Sequence, residues 1–554
     1  MYSSKENVNI LTALLVSHGI HHAVVCPGSR NAPIVHNLNE CPLIACYPVT
    51  DERSAGFYAL GIAQATDEPV VVCVTSGSAL LNLAPAVAEA HYQHQSLIVV
   101  SADRPEEWID QLDGQTLRQS GALASWAASS VTLPLLSAGS PSSSRWHCNR
   151  LVNEVLLDAL QDHRPCVHIN VPIAEPLFDF TVASLPQERT ITRFAPTADY
   201  DCLRQDFIDD FLTAQRPMII VGQMNPNKLS GHTSDYLFSH VIVLHEALSP
   251  FPSVSHFDEV LAHLETEQAD ALLPDFVLYV GDHIVSKRLK HFLRRAVDAH
   301  VWRVSPTGSV EDTFQNLRGV ITGDADFLLN ALNDKLSHHF QKALHYRREW
   351  LRLLMQARDH CLTWRPAYSQ MLVVSMFEKL IDAHGDVVHY ANSMAIRLAN
   401  IYARHHVWCN RGVNGIEGSL STAAGYALTT QAPVYCVIGD LSFFYDQNAL
   451  WNTLIRHRRL RILLLNNGQG GIFGMLSGLE QTDDHRDLVA GRHHTSAEGA
   501  CRQNAVGYRL AHDLDSLTQG LDWLTTHQAD HPLLLEVFTD AETDAEVLRN
   551  YYVY

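Results

Sequence analysis

The sequence predicts an α/β protein made of three parallel-sheet domains. Three observations carry that reading. The chain has 554 residues, and at about 150 residues per domain that is too long for a single core. Short runs of Val, Ile and Leu alternate with helix-length segments along the chain, the pattern of βα units whose strands are buried on both faces. A stretch near the N-terminus is also answered by one near the C-terminus. SAGFYALGIAQATDEPVVVCVTSGSALLNLAPAVAEAHYQHQSLIVVSADRP and STAAGYALTTQAPVYCVIGDLSFFYDQNALWNTLIRHRRLRILLLNNGQG both run small-residue helix, strand, Gly turn, helix, strand and polar loop. They lie too far apart to be a solenoid period, so two related domains flank a third.

The elements follow in chain order. The opening segment, MYSSKENVNILTALLVSHGI, lacks a basic start and a cleavage site and reads as an amphipathic helix rather than a leader. VCPGSRNAP (25–33) closes a strand, and YPVTDERSAGFYALG (47–61) places Glu52 between a strand-like run and a small-residue helix. Taken alone, Glu52 is either a helix N-terminal acid set against the macrodipole or a functional carboxylate. The central region has its own strands at 217–223, 240–246, 276–282 and 301–306, a parallel α/β domain. Its FVLYVGD run has no GxGxxG, so no dinucleotide site is indicated. Linkers are expected at 183–196 and at about 334–368, the second beginning as a charged helix. The domains are then 1–182, 197–335 and 366–554.

The third domain holds the most informative motif. The apolar run 434–438 ends in Gly439-Asp440, a helix-length segment follows, and the run 462–465 ends in Asn466-Asn467. Hard oxygen ligands thus stand at the ends of two strands, the edge where open α/β sheets bind ligands. Asp, Asn and a carbonyl suit Mg²⁺, which also takes oxygens from a diphosphate. Gly439 lets the backbone come close to phosphate.

Composition narrows the function classes. A formal net charge of −20 argues against a nucleic-acid or anionic-membrane partner. It also means that an anionic substrate must be met by arginines gathered locally. The eleven cysteines include no CxxC pair, and Cys73 and Cys436 fall inside apolar runs. They read as buried thiols in a reducing, cytoplasmic setting. No apolar run approaches the about 18 residues of a membrane span. The histidine pairs His21-His22, His405-His406 and His493-His494 have no metal partner in sequence.

These motifs resemble the thiamine-diphosphate enzyme superfamily, with its pyrimidine-binding, middle and diphosphate-binding domains. Within it they resemble the 2-succinyl-5-enolpyruvyl-6-hydroxy-3-cyclohexene-1-carboxylate synthase (MenD) family of menaquinone biosynthesis. PGSRNAP, TDERSAGF, VTSGSA, SADRP, GQTLRQ, SKRL, NSMAIR, NRGVNGIEG and GDLSFFYDQNAL carry the likeness across all three domains. The last has Gly-Asp-Leu-Ser where many superfamily members have Gly-Asp-Gly.

The resemblance implies a cytoplasmic transferase that uses thiamine diphosphate with Mg²⁺ or Mn²⁺. It would decarboxylate 2-oxoglutarate and add the succinyl carbanion to isochorismate by 1,4-addition. Glu52 would hydrogen-bond the aminopyrimidine and activate the cofactor. Asp440, Asn467 and the Gln469 carbonyl would hold the metal, with Gly439, Leu441 and Ser442 at the diphosphate. Thr75 and Asn392 would also touch the cofactor, Ile416 would prop it in a bent shape, and Ile472 and Phe473 would form an apolar floor. Arg397 and Arg411 would hold the succinyl carboxylate, Ser29, Arg30, Arg104 and Lys287 would face isochorismate, and Gln115, Asn392 and Ser393 would lie near the reacting carbonyl. The catalytic set is then Glu52, Gln115, Ser393, Arg397 and Arg411.

The site would form between two chains of a homodimer or homotetramer. Two departures stand out: Gly-Gln-Gly-Gly follows Asn467, and Gly114 stands where relatives often carry Asn or another residue. The nearest alternative is another thiamine-diphosphate 2-oxoacid enzyme of the acetolactate-synthase kind, which needs no five-cation cluster. A noncatalytic binding module would not need Glu52, Asp440 and Asn467 together.

Overall fold

The computed structural model describes residues 1–137, 139–161, 163–193, 205–229, 237–336, 344–383, 385–475 and 485–553. They form three sheets, each wholly parallel. The first holds β1 (His22–Val25), β2 (Ala45–Pro48), β3 (Val70–Val74), β4 (Leu97–Asp103), β5 (Ala127–Thr132) and β6 (Cys166–Pro172), in the order β2-β1-β3-β4-β6-β5. The second holds β7 (Pro217–Val221), β8 (Ile242–His245), β9 (Phe276–Val280), β10 (His300–Ser305) and β11 (Leu317–Thr322), in the order β11-β10-β9-β7-β8. The third holds β12 (Val387–Tyr390), β13 (Val434–Gly439), β14 (Leu460–Asn466), β15 (Gly507–Ala511) and β16 (Leu533–Phe538), in the order β12-β13-β14-β16-β15. With the edge strand β2 set aside, the first and third sheets have the same order. The repeat read from sequence is therefore a repeat of topology.

The two copies meet through equivalent helices. Asp51 caps Glu52–Thr66 by accepting from the Arg53 and Ser54 amides at 2.9 and 3.3 Å, and Asp67 ends it in the left-handed region at φ 59°. Its small residues pack on Ser419–Ala427, the matching helix of the third domain. At the crossing, a Cβ on Gly61 would stand 2.0 Å from the Thr422 carbonyl oxygen, and one on Gly425 would stand 2.2 Å from that of Tyr58. Only glycine lets the two backbones come this close.

Three local expectations are corrected. The N-terminal helix Glu6–Ser17 is buried around most of its circumference rather than on one face. It accommodates polar residues there because Asn7 Nδ2 donates to the Pro172 carbonyl at 2.9 Å and Asn9 Nδ2 to that of Ser3 at 2.9 Å. The segment after Asp440 is not one helix. A short α-helix, Asp440–Asp446, passes into 3₁₀ turns at Gln447–Trp451 and Thr453–His457. The buried Asp446 carboxylate accepts from the amide and hydroxyl of Ser421 on the facing helix, and Asn452 caps the second turn through the Leu454 amide. Between about 334 and 368, where a linker is expected, Leu344–Thr363 is a helix that puts Tyr346, Trp350 and Leu354 into the middle domain's core.

The middle sheet also has a fifth strand, β11, that sequence does not announce. Arg318 and Gly319 interrupt its apolar run, and Gly319 passes against the Trp302 ring. The stretch 183–196 has no regular element in its described part. It is tied to the first domain by Asn149 Nδ2 donating to Glu188 Oε2 at 2.7 Å and by the Ile191 amide donating to Asn153 Oδ1 at 2.8 Å; residues 194–196 lie outside the described residues. The ten described cysteines are free, and all but Cys46 are buried. Among the described residues no helix is long and apolar enough to cross a membrane.

Candidate active site

The end of β13 delivers Asp440 into a nest of main-chain donors. Its Oδ1 accepts the Leu441 amide at 2.7 Å, and Oδ2 accepts the Asn467 and Gly468 amides at 3.1 and 2.8 Å. The carboxylate is 3% exposed. Burial pushes its pKa up, and the three amides pull the other way. The neighbouring Asn residues have different jobs. Asn466 turns inward, donating to Glu536 Oε1 at 2.8 Å and to the Thr495 carbonyl at 3.0 Å. Asn467 Nδ2 donates to Asp544 Oδ2 at 3.0 Å, while its Oδ1 accepts no hydrogen bond among the described residues.

These groups open onto a cavity of about 370 Å³. It brings together the predicted Asn392, Ser393, Arg397, Arg411, Ile416, Gly439, Asp440, Leu441, Ser442, Asn467, Gln469, Ile472 and Phe473. Gly439 has open space where a Cβ would lie. Ile416 is 41% exposed, so an apolar side chain faces the cavity with nothing of its own chain covering it. Ser393 begins the helix Met394–Tyr402 at φ 71°, ψ −122°, and Asn414 has φ 72°. Left-handed backbone at non-glycine residues is strained and is typical of functional sites.

Two guanidiniums border this space. Arg411 Nη1 donates to Asn392 Oδ1 at 3.2 Å and Arg397 Nη1 to the Ser393 carbonyl at 2.5 Å. Asn392 in turn donates to the Asn410 and Gly415 carbonyls at 2.6 and 2.8 Å. Arg411 is 9% exposed and its Nε has no partner. Burial, then the charge of nearby Arg411, pushes the Arg397 pKa down. Neither arginine makes an ion pair among the described residues. A second cavity of about 340 Å³ shares Arg397 and Ile472 with the first and adds Lys287. The helix Lys287–Arg294 is set there by Glu246, which accepts the Val285 and Ser286 amides at 2.6 and 2.7 Å. Burial raises the Glu246 carboxyl to about 7.

The remaining predicted residues form a separate group at the strand ends of the first domain. Arg30 is 8% exposed and donates to the Ile173 carbonyl at 2.8 Å and Glu175 Oε1 at 3.2 Å. Burial, then the charge of Arg104, lowers its pKa, which places the two arginines near each other. Arg104 pairs with Asp113 at 2.8 Å and donates to the Gly114 carbonyl at 2.9 Å. Position 114 therefore acts through its main chain, and a Cβ there would meet nothing within 4 Å. Gln115 sits at φ 56° against Gly77. Thr75 is buried at the end of β3, and Ser29 is exposed after β1. Glu52 is partly buried and accepts from Asn82 Nδ2 at 3.4 Å. None of these residues lines the Asp440 cavity. Within one chain, the five cations fall into two groups rather than one.

Sequence reasoning did not find His493, whose Nε2 lies 3.4 Å from Asp440 Oδ2 without a hydrogen-bond partner. Its loop is pinned by the His493 amide to the Gly468 carbonyl at 2.8 Å and the Gly470 amide to that of Ala490 at 2.7 Å. The His493-His494 pair was the only local signal, and it named no partner. Asp544, which orients Asn467, gave none.

A buried carboxylate, an amide oxygen, an open glycine and an uncovered Ile416 around one cavity fit a divalent metal, a diphosphate and an apolar ring as ligands. Among the described residues no three His, Cys, Asp or Glu side chains gather as a metal site. The Asp440 seat has one carboxylate with an amide and a carbonyl, so other oxygens must come from the ligand. The duplicated parallel sheet and this seat define a thiamine-diphosphate enzyme. Family models agree: "Thiamine pyrophosphate enzyme, N-terminal TPP binding domain" matches residues 6–144, and "Thiamine pyrophosphate enzyme, C-terminal TPP binding domain" matches 390–537.

Three relatives named 2-succinyl-5-enolpyruvyl-6-hydroxy-3-cyclohexene-1-carboxylate synthase narrow this further. Those of Bacteroides thetaiotaomicron, Bacteroides fragilis and Phocaeicola vulgatus are 42%, 43% and 40% identical, each over 100% of this chain and 99% of the relative. The chain belongs to the 2-succinyl-5-enolpyruvyl-6-hydroxy-3-cyclohexene-1-carboxylate synthase family.

Proposed function

We propose that this protein decarboxylates 2-oxoglutarate on thiamine diphosphate and adds the succinyl unit to isochorismate by 1,4-addition, giving 2-succinyl-5-enolpyruvyl-6-hydroxy-3-cyclohexene-1-carboxylate for menaquinone biosynthesis. The observation that carries the substrate choice is the Arg397–Arg411 pair: a half-buried and a buried cation at the cofactor cavity, neither held in an ion pair among the described residues. A substrate with a carboxylate distal to its 2-oxo acid group answers that demand, because a guanidinium fork matches a carboxylate. Pyruvate does not.

When bound, thiamine diphosphate supplies an electron sink for the bond broken at the 2-oxo carbon. Asp440, Asn467 and the Gln469 carbonyl would hold Mg²⁺ or Mn²⁺, which would supply positive charge to the diphosphate. Ile416 props the cofactor, and Ile472 and Phe473 keep water from the reacting carbon. Asn392, Ser393 and Gln115 present neutral polar groups to the substrate carbonyl. Glu52 holds and returns the proton of the aminopyrimidine ring. Because Glu52 lies outside its own chain's cavity, the working site pairs Glu52, Arg30 and Arg104 of one chain with Asp440, Asn467, Arg397 and Arg411 of another. A homodimer, or a tetramer built from it, is then the active unit. The ten described cysteines, free and nearly all buried, suit a reducing cytoplasm.

A product assay tests the reading. The enzyme with thiamine diphosphate and Mg²⁺ should convert 2-oxoglutarate plus isochorismate and leave pyruvate largely untouched. Turnover of pyruvate in preference to 2-oxoglutarate would overturn it in favour of an acetolactate-synthase-like activity.

A further inference from the structure

The chain between Tyr402 and Ser419 carries Arg411, Asn414 and Ile416 into the cofactor cavity and contains no helix or strand of its own. It is fixed from the first domain. Glu89, in the helix Ala84–Tyr92, is 3% exposed. Its Oε1 accepts the Gly412 amide at 2.7 Å and its Oε2 the Val413 amide at 2.6 Å. Gln93 Nε2 also donates to Oε1 at 2.6 Å, and Gln64, on the same helix as Glu52, donates to Gln93 Oε1 at 2.9 Å. No ion pair reaches this carboxylate among the described residues. Burial raises its pKa and the amides oppose that.

The seat is built on both sides. A Cβ on Gly412 would stand 2.8 Å from the Glu89 carbonyl oxygen, 2.9 Å from Tyr92 Cβ and 3.0 Å from Glu89 Oε1, so position 412 has room for glycine alone. A buried carboxylate costs stability unless donors are held to it. Here the donors are two consecutive main-chain amides of another domain. Fixing both amides fixes the two peptide planes between Arg411 and Val413. That sets where the Arg411 side chain departs and where the chain turns at Asn414.

We propose that Glu89 is a positioning residue of the cofactor site, holding Arg411, Asn414 and Ile416 in place through the Gly412 and Val413 amides without touching a ligand itself. The part of this that concerns 2-oxoglutarate rests on the function proposed above; the part that concerns the cofactor does not.

Glu89→Gln keeps the volume but turns an amide N–H₂ toward one of the two donors. In the holoenzyme, hydrogen exchange of a peptide covering 410–417 should then accelerate by about tenfold, with the helix Ser419–Ala427 unchanged. The thiamine diphosphate Kd should rise, and KM for 2-oxoglutarate should rise about tenfold. In an Arg411→Ala background the same change should add less than about twofold to KM, because its route to substrate has gone. If Glu89→Gln does not fold, Glu89→Asp, which keeps the charge but shortens its reach, is measured in the same way. Unchanged exchange at 410–417, exchange that rises uniformly along the chain, or KM effects of the two substitutions that simply multiply would each overturn the proposal. If the wild type releases no CO₂ from 2-oxoglutarate, the functional reading fails separately, and exchange and cofactor affinity alone decide the role of Glu89.

Discussion

Gly61 of the first domain lies against the carbonyl of Thr422 in the third, so closely that a Cβ would stand 2.0 Å from that oxygen. The obstacle is backbone, which cannot swing aside as a flexible side chain could. Gly61→Ala should therefore cost about 3 kcal/mol by forcing the two helices apart, at the upper end of overpacking effects. Denaturant unfolding measures it. A stability within error of wild type would mean that the crossing yields easily.

Glu52 does not line the Asp440 cavity of its own chain. Glu52→Ala and Asp440→Ala chains should each be nearly inactive alone. Mixed after dissociation, they should recover activity, because a heterodimer holds one intact site and one doubly damaged site. Glu52→Gln in all chains should slow cofactor proton exchange by about 10²–10⁴-fold while the fold is retained. No recovery on mixing, with heterodimers demonstrably formed, would place the whole site within one chain.

The arginines divide by domain, and their substitutions should divide by step. Arg397→Ala should weaken CO₂ release from 2-oxoglutarate. Arg104→Ala should spare CO₂ release and weaken product formation with isochorismate. Removing one partner of a buried charged contact costs about 2–5 kcal/mol, or about 30- to several thousand-fold in the affected step. CO₂ release without isochorismate and product formation with it separate the two. Equal loss of both steps in both variants would make the arginines one shared field.

His389 of β12 is 3% exposed, packs against the Tyr426 ring at 5.3 Å between centroids, and has no partner for Nε2. Burial pushes its pKa down to about 3. The unfolded chain takes up the proton near its ordinary value of 6.5, whereas the folded chain does not. Stability from this group is thus present above pH 6.5 and is lost steadily as pH falls toward about 3. His389→Phe keeps a ring without a titrating group. Relative to wild type, it should gain about 2 kcal/mol on going from pH 7.5 to pH 5. Parallel stability curves for the two proteins would remove His389 from the acid response.

The parts of this molecule that sequence reveals are those with strong local signals. β13 is an uninterrupted apolar run and β14 holds another at 462–465, and the residues that end them, Gly439-Asp440 and Asn466-Asn467, stand out in composition. β11 was hidden because Arg318 and Gly319 break its run, and Gly319 makes sense only against Trp302. The turns after Asp446 were hidden because its side chain bonds Ser421, 25 residues away in the chain. His493, Asp544 and Glu89 act on residues far from them in sequence, so no spacing rule could find them. Motifs named the five site cations and the resemblance split them by substrate, but only the folded chain puts Lys287 beside Arg397 and apart from Arg30 and Arg104.

The shared strand order has a consequence for ancestry. Aligned along the repeat, Ser76 after β3 stands where Asp440 stands after β13. One chain thus carries two versions of a single ligand-binding crevice, of which only one has the carboxylate that can seat a metal. With a hydroxyl in that place, the first copy has no anchor for a metal-bridged diphosphate of its own. Its strand ends instead carry Glu52, Arg30 and Arg104. A duplicated crevice with a carboxylate in both copies would offer two seats for the same end of a cofactor; with a carboxylate in one copy alone, the chain offers a single seat.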